Sequence, residues 1–294
     1  MSVGAAVRQQ LAKHAPRLEE AAVRANWRLK NRNRAFSPDD VSDAKQRELI
    51  EALHRDGVVV TSFDELIGDQ VLFDAAAAEA RRLHEAWKPE EAEAGSKATF
   101  LTKLATIHFP ADDPFVRIAL HPNVLNVANG YLRLRSTLRA LDLWHTRPTP
   151  GAAVQTQLWH RDADDVMNVK LFLYFTDVRV PAGPLTYAPD THPLGSRREL
   201  PEHDESRRST DEQMEQIVPE DEWRILEGKP GTIVFADTCG YHKQLKPETD
   251  ERVKLVAHYV SGTPYVSGVL ELEGVDEASL TDDQYYAVFD RSRG

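Results

Sequence analysis

One cysteine, Cys239, stands in the whole chain of 294 residues. A single thiol excludes a disulfide framework and suits a reducing compartment, so a cytoplasmic location is expected. Long apolar runs are also missing. No stretch approaches the ~20 residues of a membrane span, and the first residues show no apolar signal core. Positive charge is in deficit, with 36 Lys and Arg against 47 Asp and Glu and a net charge of −11. That balance excludes a conventional nucleic-acid binder, whose affinity rests on neutralising phosphates.

The 41% of hydrophobic residues are ample for a core. Residues 1–36 read as a basic helical extension with Val7, Leu11, Leu18 and Leu29 at loosely helical spacing. Ser37-Pro38-Asp39-Asp40 has the chemistry of a helix start: a hydroxyl cap, Pro at the first position and acids against the dipole. Val41, Lys45, Leu49 and Leu53 then share a face, and Gly57 ends the helix. Val58-Val59-Val60 reads as a buried strand, and Phe63 to Trp87 as a second helix. The segment Lys88 to Lys97 reads as a surface loop, with a lid as the functional alternative.

From Thr99 the pattern turns to β. Thr99 to Phe109 and Arg135 to Thr146 read as strands around a short helix begun by Pro122. Short strands broken by turn signals, Pro148 to Gly151 and Pro181 to Pro184, predict a mainly β fold with flanking helices around a jelly-roll (cupin-like) core. A charged insertion, 195–223, reads as a solvated loop or a helical flap over the site opening. The tail, 265–294, carries Leu270, Leu272, Tyr285, Tyr286 and Phe289, enough apolar surface to dock on the barrel or on a second copy in a homodimer.

The chemistry gathers at Trp159-His160-Arg161-Asp162, with Tyr241-His242 and Arg252 further on. Two imidazoles and one carboxylate can occupy one face of an octahedral Fe(II) and leave three positions open. Gln155 to Trp159 reads as a short strand, so His160 ends it and Asp162 lies in the loop beyond. His242 follows the strand opened by Pro230-Gly231, and Arg252 opens another strand through Val260. A guanidinium offers a planar fork for a carboxylate. Lys170, Phe172 and Tyr174 alternate with Leu171, Leu173 and Phe175, and in so apolar a run Lys170 either snorkels or meets an anion. His108, His121 and His145 are read as structural or substrate-side residues, and Trp144 and Trp159 as pocket candidates.

These pieces resemble the bacterial branch of the phytanoyl-CoA dioxygenase family of Fe(II)/2-oxoglutarate oxygenases. The resemblance runs from about Arg55 to Gly262. It rests on Arg55-Asp56-Gly57-Val58-Val59-Val60, on His121-Pro122-Asn123-Val124-Leu125, and on Trp159-His160-Arg161-Asp162. It continues through Lys170 to Val178, Gly183-Pro184-Leu185-Thr186-Tyr187, Asp237-Thr238, His242 and Arg252. Two departures stand out: Pro189-Asp190-Thr191-His192 where the family commonly reads Pro-Gly-Ser-His, and Lys243-Gln244 where a small residue commonly follows the distal His.

The resemblance implies a double-stranded β-helix at about 99–262 within an oxygenase domain at 37–264. It implies iron on His160, Asp162 and His242, and 2-oxoglutarate on Arg252 with Lys170, Phe172 and Gln244 beside it. Trp144, Trp159, His108 and His145 would line the substrate pocket. The implied reaction uses O2, releases succinate and CO2, and oxidises a C–H bond of a small molecule, as in natural-product biosynthesis. Asp162 is retained, which favours hydroxylation or a related oxidation over halogenation. A cupin-type non-redox metal enzyme (isomerase or hydrolase) and a non-catalytic binding protein on the same barrel remain alternatives.

Overall fold

The computed structural model describes residues 21–87, 101–104, 108–197, 199–265 and 270–292. The expected lid at 88–97 and the first twenty residues fall outside these. The strands are β1 (Val58–Ser62), β2 (Leu101–Lys103), β3 (His108–Pro110), β4 (Thr137–Thr146), β5 (Val169–Tyr174), β6 (Leu185–Tyr187), β7 (Arg224–Leu226), β8 (Thr232–Ala236), β9 (His242–Gln244), β10 (Arg252–Val260) and β11 (Glu271–Glu273). Six form a major sheet in the order β1-β8-β5-β10-β4-β2, and three form a minor sheet, β7-β6-β9. β11 pairs with β3 in parallel.

Alternation along the central strands decides what each face meets. On β10, Val253, Leu255, Ala257 and Tyr259 join Leu171, Leu173, Ile233 and Phe235 in the core beneath the helices. The opposite residues of the major sheet, Phe172, Tyr174, Val234 and Val256, meet Leu185, Tyr187 and Leu226 of the minor sheet. Two sheets packed this way make the expected jelly roll, and its mouth holds the polar residues.

Several local expectations change. Ser37 does cap, but Pro38–Asp40 closes only a 3-10 turn. The long helix starts at Ala44, where the Asp43 carboxylate accepts from Gln46 N, and it ends at Gly57 with φ of 78°. A side chain at Gly57 would need that left-handed conformation and would also overlap the Tyr187 hydroxyl and the His192 ring. The helix expected from Phe63 to Trp87 is two, Phe63–Leu66 and Gln70–Ala86, because Asp69 caps a new start after Gly68. Thr99 to Phe109 yields only the short β2 and β3 among its described residues. Gln155 to Trp159 is not a strand: Gln155–Gln157 is a 3-10 turn, followed by single bridges at Trp159 and His160.

The first and last described segments are tied to this body. Trp27 is buried, and its indole N–H lies 2.9 Å from Asp165 Oδ1 and 3.0 Å from Ser261 Oγ. The helix Asp282–Phe289 docks on the same chain: the Tyr286 hydroxyl donates to Asn33 O at 3.0 Å, and Arg34 stacks over its ring. The insertion is packed as well as charged. Its helix Asp211–Glu215 buries Met214 against Trp159 and Tyr241, with Trp223 edge-on to Trp159 at 4.9 Å. No helix among the described residues is long and apolar enough to cross a membrane.

Candidate metal and co-substrate site

The two metal-ligand histidines are placed by backbone pairing. His160 and His242 exchange both N–H···O bonds, each 3.0 Å, so their rings sit side by side with centroids 4.3 Å apart. The Asp162 N–H donates to Thr238 O at 2.8 Å, which brings the carboxylate to the same spot. The ligand atoms of His160, Asp162 and His242 all lie within 4.8 Å of one another.

Each imidazole is oriented through its other nitrogen. His160 Nδ1 lies 2.9 Å from Leu158 O and His242 Nδ1 lies 3.0 Å from Gly240 O. A carbonyl can only accept, so Nδ1 carries the proton and the Nε2 lone pair of each ring faces the cavity. Burial keeps both rings neutral, holding His160 at about 3 and lowering His242. Burial opposes the charge on Asp162, but the Lys170 ammonium outweighs it and holds the carboxyl well below its ordinary value. The Lys170 ammonium donates to Asp162 Oδ2 at 2.6 Å.

The loop that carries His242 is braced from below. Asp237 is fully buried, accepting from Cys239 N at 2.8 Å and from the Tyr131 hydroxyl at 2.5 Å. Burial pushes its carboxyl up to about 6. Arg161, between the two ligands of the triplet, donates to Cys239 O at 2.6 Å and to Thr191 O at 3.0 Å. The sequence shows both residues, but not that a loop 78 positions away depends on them.

At the other end of the same cavity is Arg252, fully buried at the start of β10. Its Nη2 is 3.4 Å from Thr146 Oγ1, while Nε and Nη1 have no partner among the described residues. Leaving guanidinium donors buried and unpaired is costly, and burial lowers this group to about 10. Two positions on, Lys254 faces the same space. It donates to Gln244 Oε1 at 2.8 Å, sits 5.0 Å over the Phe172 ring, and is pushed well down by burial and by Arg252. Two buried basic side chains with one amide between them suit an anion, whose charge would offset the cost of their burial. Triad and cation pair together match a metal with a dicarboxylate bridging to Arg252, so the residues fit Fe(II) and 2-oxoglutarate.

The other candidates divide. Trp144, Lys170 and Gln244 line the cavity, while Phe172 forms the floor under Lys254. Trp159 does not line it. Its side chain lies behind the minor sheet against Met214 and Trp223, and its indole N–H bonds to Asp211 at 2.8 Å. Lys243 points the same way, 5.1 Å from the Trp159 ring, so the departure after the distal His puts only Gln244 into the site. His145 also misses the cavity, because alternation on β4 turns it to the opposite face from Trp144, where it bonds Glu251. His108 is on β3 opposite Glu271. Lys254 was the residue missed: β10 alternation marks it as facing Arg252's side, but the strand's apolar reading hid it.

Similar folds occur among solved structures. The epimerase SnoN, solved with Fe3+, alpha ketoglutarate and nogalamycin RO, aligns over 81% of this chain and 94% of its own, with 18% identity and a TM-score of 0.55. AviO1 from Streptomyces viridochromogenes Tue57 aligns over 77% and 100%, with 17% identity and a TM-score of 0.53. The apoform of EctD from S. alaskensis aligns over 88% and 89%, with 17% identity and a TM-score of 0.52. At such identities they establish the fold alone. No match was found among curated protein sequences. The description of the phytanoyl-CoA dioxygenase family (PhyH) matches residues 53–246, more than half of the chain and both parts of the triad. The chain belongs to the phytanoyl-CoA dioxygenase family.

Proposed function

We propose that this protein is an Fe(II)- and 2-oxoglutarate-dependent oxygenase that oxidises a C–H bond of a small molecule, with hydroxylation as the outcome. One observation carries the reading: Arg252 is buried with two donor atoms that have no partner among the described residues, in the cavity that also holds the His160, Asp162 and His242 ligand atoms. A non-redox metal enzyme has no need of that second feature. When bound, iron with 2-oxoglutarate supplies the oxidising power of O2, with succinate and CO2 as co-products.

The chain's own contribution is position and charge. His160 and His242 present neutral Nε2 atoms, and Lys170 keeps Asp162 ionised before metal arrives. Arg252 takes the distal carboxylate through its fork, with Lys254 as a second donor beside it. Trp144, Val256, Leu101 and Pro247 give the cavity apolar walls that hold a substrate carbon near the metal and limit the access of water. The Fe3+ and alpha ketoglutarate named for SnoN support this assignment.

The test is succinate formation from 2-oxoglutarate by Fe(II)-loaded protein in air, across a library of small metabolites. Iron-dependent succinate that rises with one metabolite and falls sharply in Arg252→Ala at 2-oxoglutarate below the wild-type KM is the expected result. Equal succinate from Arg252→Ala, or iron-loaded protein that fails to bind 2-oxoglutarate anaerobically, overturns the reading.

A further inference from the structure

A second cluster of two histidines and a carboxylate lies on the other face of the major sheet. His84, in the last turn of helix Gln70–Ala86, His145 on β4 and Glu251 just before β10 bring their ligand atoms within 4.8 Å of one another. His145 Nε2 is 2.9 Å and His84 Nε2 is 3.5 Å from the same oxygen, Glu251 Oε2. Tetrahedral Zn(II) with bonds near 2.0–2.2 Å requires donor atoms about 3.3 Å apart, and these two distances bracket that value.

We infer that His84, His145 and Glu251 form a second binding site, for a zinc-type divalent cation, independent of the iron triad. The donor set is right for a borderline ion: two imidazole nitrogens and one carboxylate oxygen, with a fourth position left open. His145 is buried, 1% exposed, and takes Glu251 as the partner of Nε2 while Nδ1 has none among the described residues. Glu251 Oε2 thus has His145 at 2.9 Å and His84 at 3.5 Å, both facing it through Nε2. A cation among the three ligand atoms would engage them all. Trp87, edge-on to His145 at 5.0 Å, walls one side, and Arg147 stacks over Trp87 at 4.7 Å. Arg147 is a positive neighbour, so binding depends on the negative charge of Glu251.

The ion ties the end of the helix to the strand pair that carries Trp144 and Arg252, residues of the catalytic cavity on the opposite face. Its role is a structural clamp, and the site stands whether or not the oxygenase reading holds.

The experiment uses the full chain with its triad disabled by His160→Ala and Asp162→Ala. Co(II), read by its visible d–d absorption, and Zn(II), read by equilibrium dialysis, are titrated into this protein and into versions adding His84→Ala or Glu251→Gln. Both added changes are at partly exposed positions, and circular dichroism checks the fold. The expected result is one tight ion in the triad-disabled protein, a cobalt spectrum of low coordination number, and a rise in Tm with Zn(II). Either added change should weaken binding more than about 100-fold, beyond the cost of losing an outer-shell partner. No ion bound at micromolar metal, or binding that His84→Ala and Glu251→Gln leave intact, overturns the inference.

Discussion

The two faces of one sheet carry the same donor types and differ in how those donors are held. In the barrel mouth, each histidine has Nδ1 committed to a backbone carbonyl, Leu158 or Gly240, and the carboxylate has Lys170. Behind the sheet, His84 and His145 share a single oxygen of Glu251, whose side chain is about half exposed at 51%. The first arrangement is fixed by strand pairing before any ligand arrives. The second draws on a helix end, a strand and a loop residue, and its geometry rests on side chains alone. Preorganisation separates a site suited to redox chemistry from one suited to a clamp.

The largest way to break the comparison is to remove a triad ligand. Asp162→Ala should lower iron affinity and turnover by more than about 100-fold, measured as bound iron and succinate, while a Zn(II) ion at the second cluster stays bound. Gly240→Ala acts through the scaffold. A Cβ there would overlap the Tyr187 hydroxyl, so the loop holding Asp237 and His242 must move. Overpacking of this kind costs roughly 1–3 kcal/mol, and the expected result is a lower Tm with weaker iron binding and no change at the second cluster.

Arg252→Ala should raise the KM for 2-oxoglutarate roughly 10–100-fold, the equivalent of charged hydrogen bonds worth about 1.5–3 kcal/mol. Iron binding in the absence of 2-oxoglutarate should be unchanged, which separates the two ends of the cavity. An unchanged KM would assign the distal carboxylate elsewhere.

Acid should act through burial without metal. His54, His121 and His258 all have imidazoles lowered from 6.5, with burial the first cause in each. The unfolded chain binds protons near pH 6.5 that the native chain refuses, so this stability is present above about 6.5 and lost as pH falls below it. A metal-free thermal melt should show Tm falling between pH 7.5 and 5, with a shallower fall in His258→Gln. The smallest effect is expected of His84→Ala in otherwise intact protein: a Tm close to wild type without zinc, and loss of the zinc-dependent gain.

Much of the site was readable because its chemistry is compact in sequence. His160 and Asp162 are two residues apart, His242 follows a strand, and Arg252 opens one. The identity of the barrel followed from strand and turn patterning of the same kind. The short elements were less legible. Gln155 to Trp159 was read as a strand leading into His160, yet its first three residues form a 3-10 turn and only single bridges follow, one of which sets His160 opposite His242. The break after Gly68 was hidden by the apolar periodicity running on both sides of it.

Trp159 and His145 show the limit most clearly. Each is next to a residue of the cavity, and extended backbone, on β4 for His145 and at paired single bridges for Trp159, sends neighbours to opposite faces. Their residue types suited a pocket; the direction of the side chains put one against the 195–223 insertion and the other against helix Gln70–Ala86. By itself the sequence determined the donor inventory, the jelly-roll class and the family, because these depend on residue type and local spacing. Tertiary structure alone decided that Lys170 answers Asp162, that Lys254 stands beside Arg252, and that His84 meets His145 across 61 positions of chain. Those pairings arise when sheets stack and helices dock, and no local pattern encodes the distance between them.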